Sequence, residues 1–459
     1  MNSGSCKSSG RRELPRREPK QELPAMSRSE ELYRRALKVL PGGVSRNTVL
    51  WRPHPFYAVR GEGCYVTDVE GVRRLDFANN MCSLIHGHAH PAIVAALYEQ
   101  AQRGTAFTFA TEIEVAYAEY LCARSPSFEK IRFVNSGTEA VMAAIKAARA
   151  FTGRFKIAKV EGAYHGLYDY AEVSQTSNPA NWGEPIRPRS NPVAHGTPPS
   201  VLDEVVVIPF NDPETALAIL DRHPGELACV LIDPMPHRVG FIPATPEFVN
   251  ALRRWTRKDG ALLMFDEVIT YRSEYEGAQV WFDEPPDLTA LGKLIGGGLP
   301  VGALAGRAEV MEVLNPLAEK VLFPHSGTFS GNPLVMSAGL TAMRLFDREA
   351  VQRLNTLGEQ ARHQLGEVID ASRFPASVTG AGSLFRLHFT PEAPRTYRDA
   401  FVDAERARLS YALLDYAFAH GIILINTCSG ALSTVMTERE VDTLCEVLLG
   451  GLRALRRLL

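Results

Sequence analysis

No stretch of this sequence stays apolar for the roughly 18 residues that a membrane-crossing helix needs, which excludes a helical transmembrane span. Cysteine is sparse and scattered, with seven residues at positions 6, 64, 82, 122, 229, 428 and 445 and no Cys-x-x-Cys pair. An odd, dispersed set argues against a disulfide framework or a zinc cluster and suits a reducing compartment. Neither sign of charge is in excess: 50 basic side chains stand against 52 acidic ones, a formal charge of −2. A dedicated nucleic-acid binder would carry a basic surplus. What is present is the balance of an ordinary globular protein, 45% hydrophobic and 22% charged over 459 residues. At about 150 residues per domain that length suggests two or three domains, with a core that needs no metal or crosslink. These exclusions leave a soluble, cytoplasmic α/β enzyme with no membrane or nucleic-acid partner.

The first residues, MNSGSCKSSGRRELPRREPKQELPA, are polar and basic and lack the apolar core of a secretory signal. Residues 1–26 read as a disordered arm, with Met26 as an alternative start. Ser27 then opens SRSEELYRRALKVL, a helical repeat behind a Ser-x-x-Glu start, and the PGG at 41–43 ends it. GCYVTDVEGVRRLDF (63–77) alternates around a turn and reads as a β-hairpin. Beyond residue 90, apolar runs at 131–134, 156–160, 205–208, 228–232, 261–265 and 301–306 read as strands. Helical patterns interleave near 91–103, 112–125, 138–151, 213–222, 246–258 and 332–346. Such alternation predicts a mainly parallel sheet covered by helices. The polar stretch 174–203 reads as a long loop, and long helices at 348–370 and 397–420 mark a smaller C-terminal domain.

Ligands of open α/β sheets sit at the carboxyl ends of the strands, and four predicted strand ends carry suggestive chemistry. IRFV runs into Asn135-Ser136-Gly137-Thr138 and a helix, a phosphate cup of open N–H groups and hydroxyls, although such a sequence is also an ordinary N-cap. ALLMF ends in Asp266-Glu267; a carboxylate there needs a cation, such as a protonated pyridine nitrogen, or serves merely as a helix cap. Lys293 lies in LTALGKLIGGGLP, where apolar neighbours would desolvate its amine for Schiff-base chemistry, unless it is a solvated turn lysine. Tyr164-His165-Gly166 follows KIAKV and offers a ring to stack on a planar cofactor, or simply a core aromatic. Phosphate cup, stacking ring, strand-end acid and amine together match pyridoxal 5′-phosphate. No metal-ligand spacing is evident.

The segments FVNSGTEAVMAAIKAAR, GAYHG, LLMFDEVITYR, LTALGKLIGGGLPVGALAG and HSGTFSGNPL resemble class III (fold-type I) pyridoxal-phosphate aminotransferases, in the branch of glutamate-1-semialdehyde aminomutase and β-amino-acid aminotransferases. The resemblance spans roughly residues 30–450. It implies a large, mainly parallel-sheet domain at 86–346 and a small α+β domain assembled from 27–85 and 347–459. It implies that Lys293 forms the internal aldimine and later shuttles a proton, and that Asp266 pairs with the pyridinium. Val268 and Tyr164 would sandwich the ring, and Ser136, Gly137 and Thr138 would hold the phosphate. Thr328 would reach the phosphate site of a neighbouring subunit, implying a homodimer with shared active sites.

Carboxylate substrates call for an arginine fork, and Arg46, Arg238, Arg272 and Arg386 are the candidates. Ser45-Arg46 resembles the carboxylate grip of β-amino-acid aminotransferases. Three departures stand out. Asp233-Pro234 replaces the family's Glu-Pro, bulky His237 and Arg238 follow it, and LINTCSGALS (424–433) lacks the C-terminal arginine of 2-oxoglutarate users. The expectation is an aminotransferase moving an amino group from a β-amino acid or related amine to an oxo acid such as pyruvate, through a pyridoxamine phosphate intermediate. The alternative is an intramolecular aminomutase of the glutamate-1-semialdehyde 2,1-aminomutase type. A catalytically silent cofactor-binding or regulatory protein is the reading from another class; the joint presence of Lys293, Asp266 and the phosphate cup speaks against it.

Overall fold

Apolar runs of four to six residues, too short for helices and buried on both faces, dictate the centre of this protein. The computed structural model describes Met1 and residues 26–457; residues 2–25 of the expected arm lie outside the described residues. In chain order the strands are β1 (Ala58–Glu62), β2 (Tyr65–Asp68), β3 (Arg73–Asp76), β4 (Lys130–Val134), β5 (Lys156–Val160), β6 (Gly183–Glu184), β7 (Arg187–Pro188) and β8 (Val205–Ile208). They continue as β9 (Leu227–Ile232), β10 (Leu262–Asp266), β11 (Leu288–Gly292), β12 (Gly302–Gly306), β13 (Ser377–Thr379), β14 (Leu384–His388), β15 (Ile422–Ile423) and β16 (Ser429–Ala431). The main sheet has seven strands in the order β4-β12-β11-β10-β9-β5-β8. Only β12 runs antiparallel to its neighbours.

Period-two alternation splits β10 between two hydrophobic layers. Leu262 and Met264 join the layer under the helix Gly137–Thr152, while Leu263 and Phe265 join the layer under the helix Pro246–Asp259. Each such burial contributes about 1.5–3 kcal/mol, so Leu263→Ala should cost about 2–5 kcal/mol. The six helices expected between residues 91 and 346 are present as Pro91–Arg103, Glu112–Arg124, Gly137–Thr152, Pro213–Leu220, Pro246–Asp259 and Pro333–Leu345. Four of them open on proline, whose missing N–H costs nothing at that position.

Three local expectations need correction. The expected helix at 397–420 is Ala404–Ala419, because Asp403 caps it by accepting from Arg406 N. Tyr397 and Arg398 are engaged elsewhere: the Tyr397 hydroxyl donates to Ser177 O at 2.5 Å, and Arg398 makes a two-pronged pair with Glu161. Second, 174–203 is not one bare loop, since it holds the β6–β7 hairpin and ends in the helix Pro199–Asp203. Third, Leu288–Gly292 forms β11, a strand absent from the runs singled out above. A helix at Glu438–Arg456 also closes the C-terminal region.

The chain divides into two compact units, Met1–Tyr57 with Asp68–Gly71, and Ala58–Thr67 with Val72–Leu459. In the first, Ser27 caps the helix Arg28–Ala36 by accepting from Glu30 N, and Ser29 binds the Glu70 carboxylate through both N and Oγ. In the second, β15 pairs in parallel with β3 (Ile422 opposite Leu75), so the N-terminal hairpin and the C-terminal region share a sheet. β13, β14 and β16 form a further antiparallel sheet. Among the described residues no helix is long and apolar enough to cross a membrane.

Candidate active site

The turn after β4 places Ser136 in extended conformation as the N-cap of the helix Gly137–Thr152. Its hydroxyl accepts from Glu139 N at 3.1 Å, and the Glu139 carboxylate reaches back to Asn135 N at 2.8 Å. The glycines nearby permit close approach. A Cβ on Gly137 would fall 2.9 Å from Val268 Cγ2, and one on Gly166, whose φ is +91°, would fall 2.5 Å from Thr138 Oγ1. Gly292, just before Lys293, faces the same Val268 side chain. The segments around 137, 166, 268 and 292 therefore converge.

Asp266 ends β10, almost fully buried. Its Oδ1 accepts from Val268 N at 3.0 Å and its Oδ2 lies 2.8 Å from His165 Nδ1. Burial lowers the pKa of His165, so the imidazole is neutral; facing a carboxylate, Nδ1 carries its hydrogen and donates. Nε2 is buried and, among the described residues, has no partner, an acceptor left unused. Asp233, at the end of neighbouring β9, is pushed well above the usual carboxyl range by burial and then by the Asp266 charge, and it accepts from Met235 N. Glu267 turns away from these groups to receive Ala278 N and Gln279 N.

Lys293 follows β11 with φ +50°, a left-handed conformation unusual for a residue with a side chain. Its side chain is half-buried, and among the described residues no hydrogen bond or ion pair holds its ammonium. Tyr164 remains 41% exposed, and the Arg238 guanidinium lies 5.3 Å from its ring centroid.

The departures at 237–238 and 424–433 meet in space. His237 Nε2 lies 2.9 Å from Thr427 Oγ1, which lies 2.7 Å from Ser429 Oγ. Burial, then the charges of Arg386, Lys293 and Arg238, push the His237 pKa down to about 3, so its ring is neutral. Arg386 on β14 is buried and donates from Nη1 to His237 O at 2.8 Å, while among the described residues its Nε has no partner. Arg272 is a correction. It is fully buried, and its Nε, Nη1 and Nη2 go to Ser383 Oγ, Cys82 O and Leu432 O, so it braces the core and no substrate carboxylate can reach it. Arg46 lies in the first compact unit, exposed. Thr328 is exposed, in an irregular segment before the helix Pro333–Leu345. Sequence reasoning missed the partnership of His165 with Asp266, although the histidine follows the tyrosine it singled out.

The residues present fit pyridoxal phosphate. The glycine-lined turn leaves room where a Cβ would collide, a buried carboxylate ends a central strand, and a lysine with positive φ and, among the described residues, an unengaged amine follows the strand paired with it. Fold and site together define a fold-type I pyridoxal-phosphate enzyme. A family model described as "Aminotransferase class-III" matches residues 49–448, and the chain belongs to that family. It is a pyridoxal-phosphate-dependent transaminase. It is 40% identical to the glutamate-1-semialdehyde 2,1-aminomutase of Methanothermobacter thermautotrophicus, over 86% of this chain and 90% of that relative. An omega-transaminase from Sphaerobacter thermophilus superposes with TM-score 0.91 and 46% identity, covering 94% of this chain and 98% of the other. A β-phenylalanine aminotransferase from Variovorax paradoxus gives TM-score 0.82 and 34% identity, covering 92% and 93%.

Proposed function

We propose that this transaminase moves an amino group from a β-amino acid or related amine to an oxo acid. The observation that carries this reading is Arg386. Its buried guanidinium has a pKa lowered only to about 10, so it is charged, yet among the described residues no carboxylate pairs with it. A buried cation without a counter-ion is costly, and a substrate carboxylate would relieve that cost. The omega-transaminase and β-phenylalanine aminotransferase likenesses support the same donor class. Where relatives that use 2-oxoglutarate carry an arginine, Thr427 and Ser429 present hydroxyls, which favours a small acceptor such as pyruvate.

When bound, pyridoxal phosphate supplies an aldehyde that condenses with amines and a ring that withdraws electrons. In this reading Ser136, Gly137 and Thr138 hold the phosphate at the helix N-terminus. Val268 and Tyr164 flank the ring. Asp266 keeps a proton on the ring nitrogen, and His165 fixes the direction of that carboxylate. Lys293 carries the cofactor, then takes and returns the proton at the substrate carbon. Arg238 joins Arg386 as a carboxylate contact.

The same reading gives a homodimer in the cytoplasm, with Thr328 completing the neighbour's phosphate site. Exposed Phe109 (84%) and Phe329 (60%) support a covered face. It also divides the chain into a small domain of 27–85 and 347–459 around a large domain of 86–346, supported by the pairing of Ile422 with Leu75.

The aminomutase names of the sequence relatives favour a second reading, amino transfer within one substrate. A donor screen separates the two. On the proposed reading, a β-amino acid alone converts the cofactor to its amine form once, and turnover requires an added oxo acid. Steady turnover of a lone amino-aldehyde would overturn it.

A further inference from the structure

β5 carries a lysine where a parallel-sheet strand expects an aliphatic side chain. Lys159 is fully buried, with Ile157, Ala158 and Val160 of the same strand equally sealed from water. A methionine or leucine would fill that space without desolvating a charge, so packing does not account for it. Its contacts do. An ammonium has three hydrogens, and Nζ lies 2.6 Å from Val173 O, 3.1 Å from Ala163 O and 3.4 Å from Val160 O.

Val160 ends β5, and the other two carbonyls belong to the segment that follows it. Ala163 O sits in the peptide that leads into Tyr164, and Val173 O lies at the segment's other end. Gly162 N donates to Ser174 O at 3.0 Å and ties the same neck. Between the two ends stand Tyr164 and His165, and His165 holds Asp266. Burial lowers the Lys159 pKa to about 7; Glu161 opposes that shift, Arg238 adds to it and Glu172 opposes it. The Lys159 charge is also among the influences that keep His165 neutral.

We propose that Lys159 is a positioning residue for the cofactor site: by gathering the carbonyls of Ala163 and Val173, it fixes the loop that presents Tyr164 and His165. It touches neither substrate nor cofactor and acts through that loop. The inference rests on the reading of Tyr164 as flanking the ring and of His165 as orienting Asp266.

The test compares Lys159→Met, which keeps volume and removes the donors, with Lys159→Gln, which keeps an N–H donor. Three quantities are read: melting of the apoprotein, the equilibrium affinity for pyridoxal phosphate, and the pH midpoint of the bound cofactor's visible absorption. Lys159→Met should bind pyridoxal phosphate at least about tenfold more weakly and shift the pH midpoint, with Lys159→Gln intermediate. A variant that melts earlier but binds with wild-type affinity and an unshifted midpoint would show that Lys159 only stabilises the fold. If Lys159→Met fails to fold, the same comparison is decided by Lys159→Gln; if neither folds, the lysine is a folding determinant and the proposal fails. His165→Asn, measured alongside, keeps two failures apart. Wild-type affinity and midpoint in that variant would overturn the reading of His165 as the residue that orients Asp266, whereas changes there with none in Lys159→Met would overturn only the role of Lys159.

Discussion

His237 Nε2 lies 2.9 Å from Thr427 Oγ1, although 190 residues separate the two in sequence. Two departures from the family's pattern are thus one contact, and Ser429 Oγ, 3.4 Å from the same nitrogen, closes a triangle of neutral polar groups. Thr427→Val keeps the volume and removes the hydroxyl, leaving a ring nitrogen short of a partner at about 1–3 kcal/mol. Steady-state kinetics should show KM for the oxo acceptor altered by about tenfold, with affinity for pyridoxal phosphate within about twofold of wild type.

The buried Arg272 and Arg386 should respond differently to truncation. Arg386→Met removes a charge that, among the described residues, one backbone carbonyl engages, so kcat/KM for carboxylate-bearing donors should fall about 10–100-fold while amines lacking a carboxylate lose far less. Arg272→Met strands three buried acceptors and should cost about 3–5 kcal/mol, read as a lower Tm with donor preference unchanged. Equal loss on both donor classes in Arg386→Met would refute the carboxylate role.

Acid should destabilise the fold through buried neutral histidines. Burial, then the Arg386 charge, hold His388 at about 3, and its Nε2 lies between Thr379 Oγ1 (2.8 Å) and Gly240 O (3.1 Å). An unfolded histidine takes up a proton below about 6.5, whereas this one stays neutral until about 3, so the unfolded state binds more protons in that window and stability falls as pH falls. Burial likewise lowers His86 to about 4 and His237 to about 3, with the same sign. Tm should decline from about pH 7 to pH 5, and His388→Gln should flatten that slope; an unchanged slope would remove His388 from the account.

Much of the main sheet was legible because β5, β8, β9 and β10 are apolar runs with polar ends, the signature of strands buried on both faces. Two strand ends were legible for the same reason: Asp266 at the end of β10 and the Ser136 turn after β4 break apolar patterns. β11 was not, since LTALG mixes small and polar residues that only the neighbouring strands bury. Nor could spacing sort the arginines. Arg272 and Arg386 look alike in sequence, and only their partners, three acceptors against one, show which braces the core. Lys159 did carry a signal, a cation between the apolar Ala158 and Val160 of its strand, but its meaning lay in carbonyls 4 and 14 residues away.

The account centres on Lys293 as the amine that carries the cofactor, and the chain offers a rival in Lys159, whose pKa of about 7 would suit the same chemistry. Borohydride reduction of the holoenzyme, followed by peptide mass mapping, decides between them directly. The account predicts the cofactor's mass on the peptide that contains Lys293 and none on the peptide that contains Lys159. Cofactor found on Lys159, or undiminished labelling in Lys293→Ala, would contradict it.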